Sequence, residues 1–198
     1  MKNKILALVL ARKNSIRLKN KNILKLGQKP LIGWTLSDIS RLKKNFDDIL
    51  ISSDSIKILK IGKSYKFITI KRPKKFASKN SSSESTALHA LKFYTQKFKK
   101  KISHIFLFQP TSPFRSKKNI LKAIELSNKF KQKRIISCKK VRNKLIINGN
   151  IYICPTKILK NKGSFESKTY IPLIINSKKQ NIDIDNIDDF NTAKTYVK

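Results

Sequence analysis

The sequence predicts a three-layer α/β domain. Three observations carry that prediction. Short apolar runs recur at residues 5–10, 48–52, 67–70, 105–108 and 134–138. Each is bounded by turn-forming residues, as expected for strands buried on both faces of a sheet. Helical patterns lie between most of these runs, and no linker or internal repeat breaks the alternation. A chain of 198 residues suffices for one such domain, spanning 1–198, with a sizeable core.

The first strand, Ile5-Leu6-Ala7-Leu8-Val9-Leu10, stops at a basic, turn-prone loop of residues 11–22. Open α/β sheets bind ligands at the carboxyl ends of their strands, so this loop is predicted to hold phosphate. The stretch does not read as a signal peptide: its apolar core is about six residues against the roughly 7–15 needed, and no small-residue cleavage site follows. Residues 23–30 read as a short extended piece with a turn, and Pro30 can open a helix at its first position. That helix carries Leu31, Ile32, Trp34, Thr35, Leu36 and Ile39 at helical spacing, with Trp34 read as core.

The second strand, Asp48 to Ser52, ends at Ser53-Asp54. Asp54 reads as the N-cap of the next helix, 55–62, with a site role as the alternative. Gly62-Lys63-Ser64 resembles the end of a phosphate-binding Walker motif, but Lys57 stands where its first glycine is required, so that reading is discarded. No G-x-G-x-x-G occurs either, which argues against a dinucleotide site. The third strand, 67–70, runs into a hydroxyl-rich loop, 72–83, in which Ser82 or Ser83 caps a helix to about Phe98. His89 in that helix and His104 beyond it receive no role.

The fourth strand, 105–108, ends in Gln109-Pro110-Thr111-Ser112-Pro113-Phe114-Arg115. Two prolines stiffen this loop. Gln109, Thr111, Ser112 and Arg115 are predicted to display donors and acceptors for substrate recognition. A helix over 117–131 and a fifth strand over 134–138 follow. Asn148-Gly149-Asn150 lies between apolar runs 144–147 and 151–154, a hairpin signal, unless Gly149 admits a ligand close to the backbone. Pro155 opens a short helix, and 169–175 reads as extended. Residues 181–185 alternate, which places Asp183 and Asp185 on one face. A last helix starts at Asp185 or Asn186, with Asp188 and Asp189 in its first turn as structural partners of the helix dipole.

The formal net charge is +35, from 46 Lys and Arg against 11 Asp and Glu. A nucleic-acid partner is the obvious reading of such charge. The lysines, however, are spread along the chain with abundant Ile and Asn rather than gathered with Arg and aromatics on one element, which argues against it. The acids are more telling: Asp183, Asp185, Asp188 and Asp189 are four of the 11. Cys138 and Cys154 match no zinc or redox spacing and read as buried free thiols of a cytoplasmic protein. No run approaches the roughly 18–20 apolar residues of a membrane span. A basic loop at one strand tip together with two carboxylates on one face suggests a polyphosphate held with Mg²⁺, hence nucleotidyl transfer from a nucleoside triphosphate.

These motifs, taken in order, resemble the CMP-sialic acid synthetases (acylneuraminate cytidylyltransferases). The resemblance runs through Ala11-Arg12-Lys13-Asn14-Ser15-Ile16-Arg17-Leu18-Lys19-Asn20-Lys21-Asn22, Ile51-Ser52-Ser53-Asp54 and the stretch Arg72 to Ser83. It continues through Phe108 to Arg115, Asn148-Gly149-Asn150-Ile151-Tyr152 and Ile182-Asp183-Ile184-Asp185. It implies a Rossmann-like nucleotidyltransferase domain with a mostly parallel sheet. By the same resemblance, Arg12 and Lys21, with Ala11 and Ser15 of the same motif, would hold the CTP phosphates. Asn22, Arg72, Ser82 and Ser83 would contact cytosine and ribose. Gln109, Thr111 and Ser112 would orient an acidic nine-carbon sugar, and Asp183 and Asp185 would hold Mg²⁺. Arg12, Lys21 and Asp185 would be catalytic. The implied reaction joins CMP from CTP to a sialic or legionaminic-type acid and releases pyrophosphate. The alternatives are a related nucleotidyltransferase for another sugar or triphosphate, or a basic nucleic-acid-binding protein. Two departures stand out: Lys79 replaces the family's Asp, and only residues 139–147 separate the fifth strand from the Asn-Gly motif. The family's longer segment there covers the sugar and exchanges between subunits, so its shortening argues against the usual homodimer.

Overall fold

The computed structural model describes residues 3–161 and 163–197. Its centre is a seven-stranded sheet. In chain order the strands of the molecule are β1 (Ile5–Leu10), β2 (Lys25–Leu26), β3 (Lys29–Pro30), β4 (Asp48–Ser53), β5 (Ile68–Lys71), β6 (His104–Phe108), β7 (Ile135–Val141), β8 (Lys144–Pro155) and β9 (Ile171–Ile174). The sheet order is β5-β4-β1-β6-β8-β7-β9, and β2 pairs with β3 apart from it. Strands β5, β4, β1 and β6 run parallel, β8 runs antiparallel to both its neighbours, and β9 pairs parallel with β7. The sheet is therefore mostly parallel, as expected.

Among the described residues six α-helices complete the fold: α1 (Leu31–Arg41), α2 (Ile56–Ser64), α3 (Ser83–Phe98), α4 (Lys117–Lys129), α5 (Thr156–Lys160) and α6 (Ile187–Lys194). The period of two in β1 sorts its side chains between the two faces. Ile5, Ala7 and Val9 pack with Ile32, Leu36 and Ile39 of α1, Ile58 of α2 and Ile120 and Ile124 of α4. Leu6 and Leu8 pack on the other face with Ala87, Leu91 and Tyr94 of α3 and Leu159 of α5. Two helical layers sandwiching one sheet follow directly from that alternation. A third cluster, Leu26, Leu31, Phe114, Ile184, Phe190 and Ala193, fastens α6 and the chain before it against β2 and α1. Trp34 packs on this cluster, edge to face with Phe114 at 5.7 Å, and its indole N–H donates to Leu26 O.

Several local expectations are corrected. Pro30 precedes α1 as its N-cap residue instead of opening it. Ser55, not Asp54, caps α2, its hydroxyl accepting from Ile58 N–H. Asn148-Gly149-Asn150 does not turn a hairpin: β8 runs unbroken through it, and the chain reverses at Arg142 and Asn143 instead. Arg142 takes the left-handed φ of 51° there. The pairing of β7 with β8 shifts register between Ile136 and Cys138, opposite the Asn-Gly pair, so the signal marks a β-bulge. Residues 183–185 belong to no strand, although they are followed, as expected, by α6 with an Asn186–Asp189 capping box. Cys138 and Cys154 are free and buried.

Candidate active site

Strand order fixes where a site can form. From β1 the chain moves outward to β4 and β5, then returns to place β6 on the opposite side of β1. The order reverses between β1 and β6, and ligands of open α/β sheets bind at such switch points. The basic loop after β1 and the Pro-rich loop after β6 therefore lie side by side. Between them opens a cleft of about 430 Å³, lined among others by Arg12, Ser15, Arg17, Lys21, Asn22, Ser83, Gln109, Thr111, Asp183 and Asp185.

The basic loop is tied down along its length. Ala11 N–H donates to Ser52 O, Lys13 N–H donates to the Asp54 carboxylate at 2.7 Å, and the Asn22 side-chain amide donates to Arg12 O at 2.9 Å. Asp54 thus anchors the loop from the tip of β4. Ala11 is fully buried and its N–H is spent on Ser52 O, so it anchors the loop and does not face a ligand.

The acidic wall is built by one buried residue. Ile184 is completely buried in the third cluster, and its N–H donates to Thr111 O at 2.8 Å. In an extended chain its neighbours must point the opposite way, and both Asp183 and Asp185 line the cleft. Asp185 accepts from Arg17 Nη2 at 2.7 Å and from Lys21 Nζ at 3.1 Å. Lys21 is only 7% exposed and also donates to Ile184 O. The Arg17–Asp185 pair is open to solvent and worth about 0–1 kcal/mol to stability. Its significance is positional, since it joins the basic loop to the acidic wall.

Asp183 stands open to the cleft and accepts from Ser112 Oγ at 3.4 Å. Loss of hydration on its protein side raises its pKa, and the Asp185 charge adds to this; the Thr111 and Ser112 hydroxyls and Lys21 pull the other way. No described cation lies within salt-bridge distance of Asp183.

Arg115 does not face the ligand. It is buried, and its guanidinium donates to Asn150 O at 2.8 Å, Thr35 Oγ1 at 3.1 Å and Gln109 O at 2.7 Å. It fastens the Gln109 loop to β8 and α1. Gly149 closes the same wall with φ +72°; a Cβ there would stand 3.1 Å from Asp183 Oδ2, 3.3 Å from Ser112 Oγ and 3.4 Å from Gln109 Oε1. The close approach at Gly149 is by the side chains of Asp183, Ser112 and Gln109, and the glycine itself is buried off the cleft lining. Gly149→Ala is expected to cost about 1–2 kcal/mol through its left-handed backbone. It should also disturb the Asp183–Ser112 contact, which a denaturation midpoint together with a kinetic assay would register.

The cleft gathers Arg12, Ser15, Lys21, Asn22, Ser83, Gln109, Thr111, Asp183 and Asp185 of the residues selected from sequence. Besides Arg115, four others lie off its lining. Arg72 is buried beneath it, donating to Ser52 O at 2.7 Å and Ser52 Oγ at 3.3 Å. Burial pulls its pKa down to about 10, with Arg12 adding to the fall and Asp54 opposing it. Ser82 is the N-cap of α3, accepting from Ser85 N–H. Ser112 is fully buried, reaching the site only through Asp183, and Ala11 is fully buried with its N–H bonded to Ser52 O. Sequence reasoning missed Arg17, Tyr152 and Glu166, which also line the cleft. Arg17 and Tyr152 sit inside motifs already recognised. Glu166 has no local signal beyond being one of few acids.

The donor set suits Mg²⁺, which takes one or two carboxylates and completes its shell with water and phosphate oxygens. Asp183 and Asp185 supply two carboxylates whose mutual repulsion a divalent cation would relieve. No group of three or more His, Cys, Asp or Glu capable of holding a metal occurs among the described residues, so phosphate would have to share the ion.

The sequence model of the cytidylyltransferases matches residues 6–181. This chain belongs to the cytidylyltransferase family. An N-acylneuraminate cytidylyltransferase of Escherichia coli O18:K1:H7 is 35% identical over 126 residues, 64% of this chain but only 29% of the relative's length. A CMP-N,N'-diacetyllegionaminic acid synthase of Legionella pneumophila is 31% identical over 216 positions, covering 92% of this chain and 91% of that one. Among solved structures, a CMP:2-keto-3-deoxy-manno-octonic acid synthetase complexed with CTP superposes with a TM-score of 0.76 over 98% of both chains, at 11% identity. That likeness establishes the nucleotidyltransferase fold of this cytidylyltransferase.

Proposed function

We propose that this cytidylyltransferase transfers CMP from CTP to a nonulosonic acid of the sialic or legionaminic type, releasing pyrophosphate. The observation that carries the reading is the switch-point cleft, where Arg12, Arg17 and Lys21 face Asp183 and Asp185 across from Gln109. The names of the E. coli and Legionella relatives supply the sugar class.

In this reading Arg12 and Lys21, with Ser15, bind the triphosphate, and Ala11 holds the start of their loop through its N–H to Ser52 O. Asn22 and Ser83 face the nucleoside, Arg72 braces the tip of β4 through Ser52, Ser82 caps α3, and Gln109 and Thr111 orient the acid sugar, with Ser112 acting only through Asp183. The anomeric hydroxyl oxygen of the sugar attacks the α-phosphorus in line. A new P–O bond forms as the bond to the β-phosphate oxygen breaks. Pyrophosphate carries away the electron pair, and the hydroxyl proton passes to solvent or to Asp185. Arg12 and Lys21 stabilise the charge that accumulates on the leaving group. Asp183 and Asp185 would hold Mg²⁺, which when bound neutralises phosphate charge.

We take residues 139–147 as a reduced sugar cover. They form the tip of the β7–β8 hairpin, and the 216-position match to the Legionella relative exceeds the whole of this 198-residue chain, so that relative carries internal segments this chain lacks. A homodimer of the usual exchanged kind does not follow from so short a tip. No described helix is long and apolar enough to cross a membrane, and two free thiols suit the reducing cytoplasm.

The test is pyrophosphate release in the presence of Mg²⁺ and a panel of nonulosonic acids. CTP is expected to support turnover where ATP, GTP and UTP do not. Preference for another triphosphate would transfer the reading to the related nucleotidyltransferases.

A further inference from the structure

The buried cation of Arg115 is hydrogen-bonded by three neutral oxygens, Asn150 O, Thr35 Oγ1 and Gln109 O. A cation taken out of water is costly unless an opposite charge stands near it. No carboxylate among the described residues lies within salt-bridge distance of Arg115. Two act on it from farther away, Asp38 first and Asp183 second. Asp183 lines the cleft, where a phosphate-bound cation would claim it. Asp38 does not line the cleft. It lines a separate cavity of about 260 Å³ together with Arg115, Phe114, Trp34 and Lys29.

Asp38 follows Thr35 by three residues on α1, a spacing that puts both on one face of the helix. Thr35 accepts directly from the Arg115 guanidinium, and Asp38 adds charge beside it. The charged groups facing Asp38 are Arg115 from the Gln109 loop, Arg41 from its own helix and Lys29 from β3, with Lys179 lining the same cavity. Arg41 is largely exposed and stands 3.7 Å away, and Lys29 Nζ is engaged by Ser37 Oγ at 3.1 Å. Burial raises the Asp38 pKa to about 6, against the pull of Arg115 first and then of Arg41 and Lys29. Asp38 is therefore charged at neutral pH and loses its charge in mild acid.

We infer that Asp38 is a positioning residue for the acceptor sugar: its charge keeps Arg115 in place, and Arg115 holds Gln109 at the cleft. The inference rests on the acid-sugar reading proposed above. The connection is short, since Arg115 Nη2 donates to Gln109 O at 2.7 Å and Gln109 lines the cleft. Without the Asp38 charge, Asp183 is the remaining carboxylate that draws the guanidinium, and the loop it fastens is free to follow. Arg12 and Lys21 bond to neither Asp38 nor Arg115, so the triphosphate grip lies outside this connection.

The experiment measures kcat, KM for the sugar and KM for CTP from mildly acidic to neutral pH, with CTP, Mg²⁺ and a nonulosonic acid. It also follows the emission of Trp34, the single tryptophan of the chain, which lines the Asp38 cavity. In the native enzyme the sugar KM should rise about three- to tenfold as Asp38 takes up its proton, the scale of coupling through one intervening residue. A step in Trp34 emission should accompany it, centred at pH about 6. Asp38→Asn should show the raised sugar KM already at neutral pH, lose both the pH dependence and the emission step, and keep kcat and the KM for CTP near native. Asp38→Glu, which restores the charge, should recover most of the native sugar KM. An unchanged sugar KM in Asp38→Asn, an emission step that persists in that variant, or an equal loss in kcat and in the KM for CTP would overturn this inference and leave cytidylyl transfer standing. No turnover of any nonulosonic acid, with CTP still bound, would overturn the sugar reading and this inference with it.

Discussion

Asp185→Asn is expected to lower kcat by about a thousandfold, the scale seen when a group stabilising transition-state charge is lost. The protein should stay folded. Asn keeps one oxygen, able to accept from Lys21 while the contact to the exposed Arg17 is lost, Lys21 retains Ile184 O, and the N–H of residue 185 remains tied to the Asp189 carboxylate at 2.9 Å. The Arg17 pair that is lost is open to solvent, where ion pairs contribute about 0–1 kcal/mol. An unchanged circular-dichroism spectrum with near-native turnover would refute the metal-holding role of Asp185.

Arg115→Met should give the largest loss of stability, about 3–5 kcal/mol. Arg115 lies in the interior, where burial draws its pKa down to about 10 against the pull of Asp38 and Asp183, leaving it charged at neutral pH. Methionine fills much of its volume yet strands three acceptors, Asn150 O, Gln109 O and Thr35 Oγ1, in a buried setting. Each unsatisfied group costs about 1–3 kcal/mol. For a chain of this length the thermal midpoint should fall by roughly 6–20 °C. Any folded fraction should show a raised KM for the sugar, because the Gln109 loop has lost its anchor. A midpoint within about 2 °C of native would mean that the loop is held by its prolines alone.

Much of this was legible in the sequence because it depends on local patterns. The apolar run 5–10 and its basic sequel specify a buried strand and a polar tip without further context. Ile184 between two aspartates announces which way each side chain points, even though no strand forms there. What was not legible depends on partners distant in sequence. Arg115 reads as a ligand-facing cation, and only the arrival of β8 and α1 around it turns the guanidinium inward. Asp54 reads as a cap until the first loop, some forty residues earlier, presents the Lys13 N–H to it at 2.7 Å. The Asn-Gly pair has the composition of a tight turn, yet the longer pairing of β7 with β8 absorbs it as a bulge. Glu166 lies in an irregular segment whose placement depends on Glu84 and Arg134, so nothing near it in sequence marks it.

Phosphorus NMR of the reaction mixture tests cytidylyl transfer most directly. With CTP, Mg²⁺ and a nonulosonic acid, a sugar-linked CMP phosphodiester and free pyrophosphate should appear together in equal amounts, and neither should form when the sugar is omitted. Release of CMP or CDP without a sugar adduct, or CTP left intact with every nonulosonic acid offered, would contradict the account.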